Sequence, residues 1–564
     1  MLKPKLFSIL KHREVELTKN KLMNDIIAGI IVAIIALPLS VALAIASGVT
    51  PEKGLITAII AGFLVSFLGG SRVQIGGPTG AFVIIVYGIV AQYGVAGLTI
   101  ATLMAGSFMI FFGLMKFGSV IKYIPYPTTT GFTSGIAVVL LSTQVKDFFG
   151  LSLQSVPSEF FDKWKVYISH FSTLDRTTTL VGIISLLIII FWPKINKKIP
   201  GSLVALVVVT MGVKLFGLPV ETIGSRFGEI SNHIQLVDIS KLNISLPLIK
   251  DLLRPALTIA FLASIESLLS AVVADGMIGK KHNSNMELIA QGIANIASAL
   301  FGGIPATGAI ARTAANVKNG GRTPIAGMVH AVVLLLIMIV FMPLANLIPM
   351  ATLSAILIIV AYNMSEWRSF KALLKSTKSD TAVLLVTFSM TVVFDLVVAI
   401  EIGMIIAMFL FVRRMSESTQ VASVNHNYFD IFSEDPDDYD GTASFNDGVH
   451  IGLKNKIMVY EITGPLFFGV TNIFLDIMNE VKNNTNVLIL KMKNVPNMDA
   501  TAYTALKRIE KRCRNQGITL LFACVNEQPM KLLEVSGFFT NISEDTIFDS
   551  VKSAVDYADN LNFE

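Results

Sequence analysis

Hydrophobic positions along this chain fall into long unbroken runs rather than the stripes of an amphipathic helix or the alternation of a half-buried strand. Fourteen runs lie near 26–47, 55–69, 79–91, 97–115, 132–145, 178–192, 202–217, 256–272, 287–302, 306–316, 325–341, 350–362, 380–394 and 396–413. A helix needs roughly 20 apolar residues to cross a bilayer upright, so several runs are too short to do so. The distribution of positive charge checks the count. Lys3, Lys5, Lys11, Arg13, Lys19 and Lys21 precede the first run, and every second connection after it is also basic, from Arg72 through Lys116 and Lys122 to Arg413 and Arg414. Because Lys and Arg are retained on the cytoplasmic side, the alternation predicts fourteen membrane spans with both termini inside, in a multi-pass protein of the cytoplasmic (inner) membrane. The first run lacks a small-residue cleavage site and is expected to stay.

Two of the short runs begin with the same motif. Gly76-Gly77-Pro78-Thr79-Gly80-Ala81 recurs about 230 residues later as Gly303-Ile304-Pro305-Ala306-Thr307-Gly308-Ala309, each copy after a glycine-rich break. These are the third and tenth spans, each the third in a set of seven. Seven is odd, so the second set enters from the opposite side and the repeat is inverted (about 25–217 and 254–414). Irregular backbone survives in a membrane only where protein or a water-filled cavity satisfies it, and paired interrupted helices in two halves mark a transporter's binding site. Proline opening a short helix leaves free N–H groups at the electropositive end of the aligned peptide dipoles. Such ends attract anions. The expected substrate-binding residues are therefore Thr79, Gly80, Ala81 and Phe82 on one tip, and Thr307, Gly308, Ala309, Ile310, Ala311 and Arg312 on the other.

Composition narrows the class. Of 564 residues 53% are hydrophobic and 15% charged, with mean hydropathy +0.66, whereas soluble domains carry about 25% charged residues. Cys513 and Cys524 suggest no disulfide framework or metal site, and His282 and His330, read as lying in or beside cytoplasmic connections, have no companions at ligand spacing. No phosphate-binding Gly-x-x-x-x-Gly-Lys-Ser/Thr loop occurs, which argues against an ATP-driven pump or enzyme; no cofactor, metal or nucleic-acid partner is expected. A polar, acidic linker (415–450) separates the membrane part (25–414, after a cytoplasmic segment 1–24) from a C-terminal domain at 451–564. That domain reads as alternating strands (457–462, 487–492, 518–525) and helices (471–482, 499–515, 527–536, 545–558) around one small core.

Two charges sit inside apolar runs. Glu266, within Phe261 to Ser270, carries an insertion cost of about 3 kcal/mol and so is a functional candidate. Burial disfavours a charged carboxylate, which makes Glu266 the expected proton acceptor, with Ser270 on the same helical face. Arg312 keeps its charge and offers a planar fork suited to oxyanions; pairing with Glu266 is the simpler alternative. Asp275, Asp395 and Glu401 read as structural or interfacial.

Taken with Ala36-Leu37-Pro38, Ser264-Ile265-Glu266, Asn285-Met286-Glu287-Leu288, Gln291-Gly292 and Pro305 to Thr313, these motifs resemble the sulfate permease (SulP) family, which includes prestin- and pendrin-type anion exchangers. The resemblance spans essentially the whole chain. It implies fourteen transmembrane segments in a seven-plus-seven inverted repeat, a core domain moving against a gate domain, a cytoplasmic α/β STAS domain at the C-terminus, and a homodimer in membrane lipid. It also places Arg312 at the anion site. Leu39 and Leu43 stand where relatives have a glutamine and an aromatic facing the anion, so one wall is more apolar here. A sodium-coupled bicarbonate branch resembles an aspartate at the Glu266 position and lacks the arginine; Glu266 with Arg312 looks like the proton-coupled branch. The expectation is secondary active, proton-coupled symport of dicarboxylate, bicarbonate or sulfate by alternating access, with sodium-coupled bicarbonate symport, anion exchange or a channel as alternatives. In the C-terminal domain Asp499 is a natural helix cap, and Thr501 takes the place of a phosphorylatable hydroxyl in related anti-sigma-factor antagonists.

Overall fold

The computed structural model describes residues 3–12, 18–119, 125–153, 156–157, 159–196, 199–228, 230, 233–238, 240, 245–394, 396–417, 420–423, 457–467, 485–540 and 546–561. Asp395, the expected helix 471–482 and most of the expected linker lie outside them, as does the side chain of Glu401. The chain forms two compact units, Met1–Ala407 and Met408–Glu564.

Each predicted span is a helix. In order they are Lys19–Ala46, Pro51–Leu68, a run Phe82–Leu114 that contains the third and fourth, Tyr126–Thr143, Arg176–Ile195, Gly201–Phe216, Leu246–Ile278, Ser284–Leu300, Ile310–Lys318, Ile325–Ala345, Met350–Met364, Lys378–Val393 and Leu396–Glu417. The third and fourth separate at Gly94, whose φ of 67° and ψ of −175° break the helical path. Side-chain caps fix several starts: Asn283 accepts from the Met286 amide and Ser245 from the Leu248 amide. The tenth span has 9 residues, about 14 Å of helix and less than half of a bilayer. Leu180, Ile184, Leu187 and Phe191 on the sixth span, and Leu336, Val340 and Phe341 on the eleventh, point outward at 42 to 62% exposure. In water such faces would be a liability, whereas in a bilayer they would meet hydrocarbon.

Helix contacts carry an internal symmetry. Adding seven to a span's position maps the first-with-second contact onto the eighth with the ninth. The same operation maps the first and eleventh onto the eighth and fourth, the second and eleventh onto the ninth and fourth, and the fifth and thirteenth onto the twelfth and sixth. Spans one to four and eight to eleven form one group, built around apolar side chains such as Phe82, Val86, Met109, Ile259 and Leu288. The fifth, sixth, seventh, twelfth and thirteenth form another.

At the symmetry centre two short strands, β1 (Gly76–Gly77) and β2 (Thr307–Gly308), pair antiparallel, with Gly76 opposite Gly308 and Gly77 opposite Thr307. This corrects the expected start of both half-helices. Pro78 lies between β1 and the helix, Pro305 lies before β2, and helical turns begin only at Phe82 and Ile310. Strand pairing satisfies buried backbone groups that a helix starting at either proline would leave orphaned.

In the second unit five strands run in the order β3 (Gln420–Ser423), β4 (Ile457–Thr463), β5 (Val487–Asn494), β6 (Thr519–Ala523) and β7 (Ile547–Phe548), β3 antiparallel to β4 and the rest parallel. Strand alternation sends Met458, Tyr460 and Ile462 to one face beneath helix Ala500–Asn515, and Ile457 and Val459 to the other beneath Val551–Asp559. Two expectations change here. Gln420–Ser423, assigned to the linker, is a sheet edge, and Ile547–Phe548, assigned to a helix, is a strand, so that helix starts at Val551. A two- or four-residue strand is too short to show a period of its own; pairing partners decide it.

Candidate functional site

The paired strands hold the two half-helix tips against each other. The Ala309 amide donates to the Ile75 carbonyl (2.9 Å), and the Ile75 amide donates to Thr313 Oγ1 (3.1 Å). No described group accepts from the amides of Gly80 and Ala81 on one tip, or of Ile310 and Ala311 on the other. These are the orphan donors that every helix start leaves.

The eighth span supplies the floor. Glu266, partly buried, accepts a hydrogen bond from Thr79 Oγ1 at 2.8 Å, so the carboxylate sits directly on the first tip. The next residue, Ser267, holds the second: its Oγ accepts from the Gly308 amide (3.1 Å) and shares a hydrogen bond with Thr307 Oγ1 (2.7 Å). Thr307 Oγ1 also donates to the Ala263 carbonyl at 3.0 Å, and Gln74 Nε2 donates to the Ser267 carbonyl at 3.1 Å. Ser270 is drawn away from Glu266, donating to Thr313 Oγ1 at 3.3 Å. One helix turn thus reaches both halves of the repeat.

Arg312 is 3% exposed. Its Nη2 donates to the Pro78 carbonyl (3.1 Å) and Ser40 Oγ (3.5 Å) on the opposite half, and its Nη1 is buried without a hydrogen-bond partner. The alternative pairing with Glu266 is not formed among the described ion pairs. A Cβ on Gly77, at φ +154°, would stand 2.3 Å from Nη1, and one on Gly308 would stand 1.5 Å from Gln74 Nε2. A side chain at either strand glycine would displace the Arg312 or Gln74 tip from its present position. The unpaired guanidinium N–H and the free tip amides are each the kind of donor that a small oxyanion accepts from.

His330 corrects its expected place. It is fully buried within Ile325–Ala345, both ring nitrogens lacking partners. A single histidine two turns from a basic connection gave no sign of this. Ser40, Ser267 and Thr313 were also unforeseen, because a hydroxyl in an apolar run most often bonds its own helix, and so was Gln74, whose partner is 193 residues away.

The second helical group covers the tip. A Cβ on Gly80 would meet Met364 Sδ at 2.7 Å and Leu140 Cδ2 at 3.1 Å. Leu39 and the buried Leu43 belong to the apolar cluster that joins Val83 to Leu140, Leu353 and Leu357. Phe82 is buried among Val86, Ile259 and Ala263, facing the helix core rather than the tip. The aliphatic seam lies between the two helical groups.

Other acidic groups are locks. Glu287 accepts from the amides of Gly70 (2.8 Å) and Ser71 (2.9 Å) and from Gln291 Nε2 (3.0 Å), tying the second-to-third connection to the ninth span. Asp25 accepts from the Arg322 amide (2.7 Å) and from Thr323 Oγ1 (2.6 Å). Asp275 pairs with His282 at 2.7 Å. In the second unit Asp499 caps Ala500–Asn515 by accepting from the Ala502 amide at 2.9 Å. Thr501 is half-buried in that first turn.

Comparison with known proteins agrees with this architecture. Residues 22–387 match the model of the sulfate permease family and residues 451–554 that of the STAS domain. The "Putative sulfate transporter YvdB" of Bacillus subtilis is 41% identical over 94% of this chain and 96% of its own length. "Bicarbonate transporter BicA" of Picosynechococcus is 30% identical over 94% of each chain. The solved structure of the murine Slc26a9 anion transporter shares the fold, with TM-score 0.84 over 98% of this chain and 94% of that one at 17% identity. With its fourteen helical spans, opposed half-helix tips and appended α/β unit, the chain belongs to the sulfate permease family, as a membrane anion transporter, not an enzyme, that carries a C-terminal STAS domain.

Proposed function

We propose that the protein is a proton-coupled symporter of a small anion, working by alternating access in the cytoplasmic membrane, with both termini inside and as a homodimer. The observation that carries the coupling is the 2.8 Å hydrogen bond from Thr79 Oγ1 to Glu266. An ionised Glu266 and a bound anion compete for the same hydroxyl and the same electropositive tip. Protonating Glu266 removes the competition, so anion and proton favour each other's binding, and the coupling is reciprocal. Arg312 and the amides of Gly80, Ala81, Ile310 and Ala311 form the anion seat. Movement of the core group along the Leu39–Leu43 seam exposes it to each side in turn.

Sulfate is the first substrate to test because the 41% identical relative is named for it; bicarbonate follows from the other relative's name, and a dicarboxylate fits the same donors. Radiolabelled sulfate, bicarbonate and fumarate are compared in proteoliposomes under imposed proton and sodium gradients. Uptake that follows the pH gradient supports symport; uptake driven by sodium, by trans anion or accompanied by unitary currents replaces it with the corresponding alternative. Glu266→Gln is expected to fold and to lose concentrative uptake on a proton gradient by at least tenfold. Undiminished accumulation by that variant removes Glu266 from the coupling.

A further inference from the structure

A polar chamber lined by neither Glu266 nor Arg312 lies elsewhere in the membrane unit. Its volume is about 300 Å³ and its walls come from both helical groups: Ala42, Ile45 and Tyr87 on one side, Thr143, Met350 and Leu357 on the other. Val156, Pro157 and Arg226, from the two long connections that the charge alternation places opposite the basic side, also line it. Four charged side chains line it: Lys146, Asp147, Lys163 and Arg226.

Their partners can be followed one by one. Arg226 Nη2 pairs with Asp147 Oδ1 at 2.6 Å, and Arg226 also pairs with Glu221. Lys146 Nζ donates to the Leu153 carbonyl at 2.8 Å. Lys163, on the short helix Phe160–Ser169, is 3% exposed, and its ammonium has no hydrogen bond or ion pair among the described residues. One turn on, Tyr167 is 1% exposed and its hydroxyl has no partner either. An isolated ammonium buried without a counter-charge is costly unless something in the chamber compensates it.

We propose that this chamber is an anion-binding antechamber, in which the Lys163 ammonium and the Tyr167 hydroxyl hold a small inorganic anion at the boundary of the two helical groups on its way to the Glu266–Arg312 site. The role rests on the reading of the chain as an anion transporter; the binding does not. Ala42 in its wall is adjacent in sequence to Leu43 of the seam, which puts the chamber at the mouth of the moving interface. Burial pushes the Lys163 ammonium down to about 8. Lys163 therefore contributes its positive charge below that pH, and that contribution is lost as pH rises through it. Lys146, Asp147, Arg226, Tyr87 and Tyr167 are the other titratable groups on its walls.

Trp164 gives a direct readout. The chain has three tryptophans, and Trp164 lies 5.9 Å from the Tyr167 ring. In the full chain carrying Trp192→Phe and Trp367→Phe, purified in a non-ionic detergent where no lipid phosphate competes, fluorescence is titrated with iodide at pH 7. The expected result is a saturable quenching component that sulfate displaces. It weakens at least tenfold in Lys163→Met and Lys163→Gln, weakens in Tyr167→Phe, fades above pH 8, and persists in Arg312→Ala. Saturable quenching unchanged by both Lys163 substitutions, or absent from the parent protein, overturns the antechamber. Failure of sulfate, bicarbonate and fumarate uptake alike while saturable quenching persists instead overturns the transport reading and leaves the binding site standing.

Discussion

At the residue scale, charge in hydrocarbon is the legible signal. Glu266 and Arg312 stand out because each costs free energy in an apolar run. Their partners do not stand out, since Thr79 is 187 residues from Glu266 and Ser40 is 272 from Arg312. Local pattern carries no information about contacts at that separation. Arg312→Ala should leave the protein folded and weaken anion uptake at least tenfold, read as a rise in the concentration for half-maximal transport; unchanged affinity would remove Nη1 from the seat. Gly308→Ala should lower stability by about 1–3 kcal/mol through overpacking, because its Cβ displaces Gln74 Nε2 from the Ser267 carbonyl. Thermal unfolding in detergent measures it, and a wild-type midpoint would show that Gln74 moves aside freely.

At the element scale, the half-helices were readable as interrupted runs, but their true starts were not. The glycine and proline signals for a turn, a strand and a helix start overlap, and pairing between distant segments selects the two-residue ladder. Gly94 is a cleaner case. Its conformation is essentially glycine-only, and nothing lies within 4 Å of the position a Cβ would take. Gly94→Ala therefore isolates backbone strain, with an expected loss of about 1–3 kcal/mol. A variant as stable as the parent would mean that the third and fourth spans do not need this break. In the α/β unit the buried strands β4 to β6 were evident from continuous apolar runs, as parallel central strands are; the edge strands β3 and β7 were not.

At the scale of the whole molecule, fourteen spans and their inverted repetition followed from run lengths, charge alternation and the parity of seven. Grouping of the spans, and the chamber between groups, did not. Lys163 supplies a test at this level. Its pKa is pushed from 10.5 down to about 8 by burial, so between those values the unfolded chain binds the proton and the folded one does not. Stability therefore rises with pH across that window. Unfolding midpoints of the parent should climb from pH 8 to 10 relative to those of Lys163→Met. Parallel curves would show that Lys163 is solvated.

By itself the sequence determined that this is a membrane protein of two inverted halves with charge at its centre, because hydrophobic run length, lysine and arginine placement and the cost of a buried ion are properties of short segments in a bilayer. Only the tertiary structure decided that Glu266 bonds Thr79, that Arg312 reaches Pro78 and Ser40 and leaves Nη1 unpaired, and that Lys163 faces a chamber. Those outcomes depend on which segments meet, and that is settled by packing and by the need to pair every buried backbone group across the two halves.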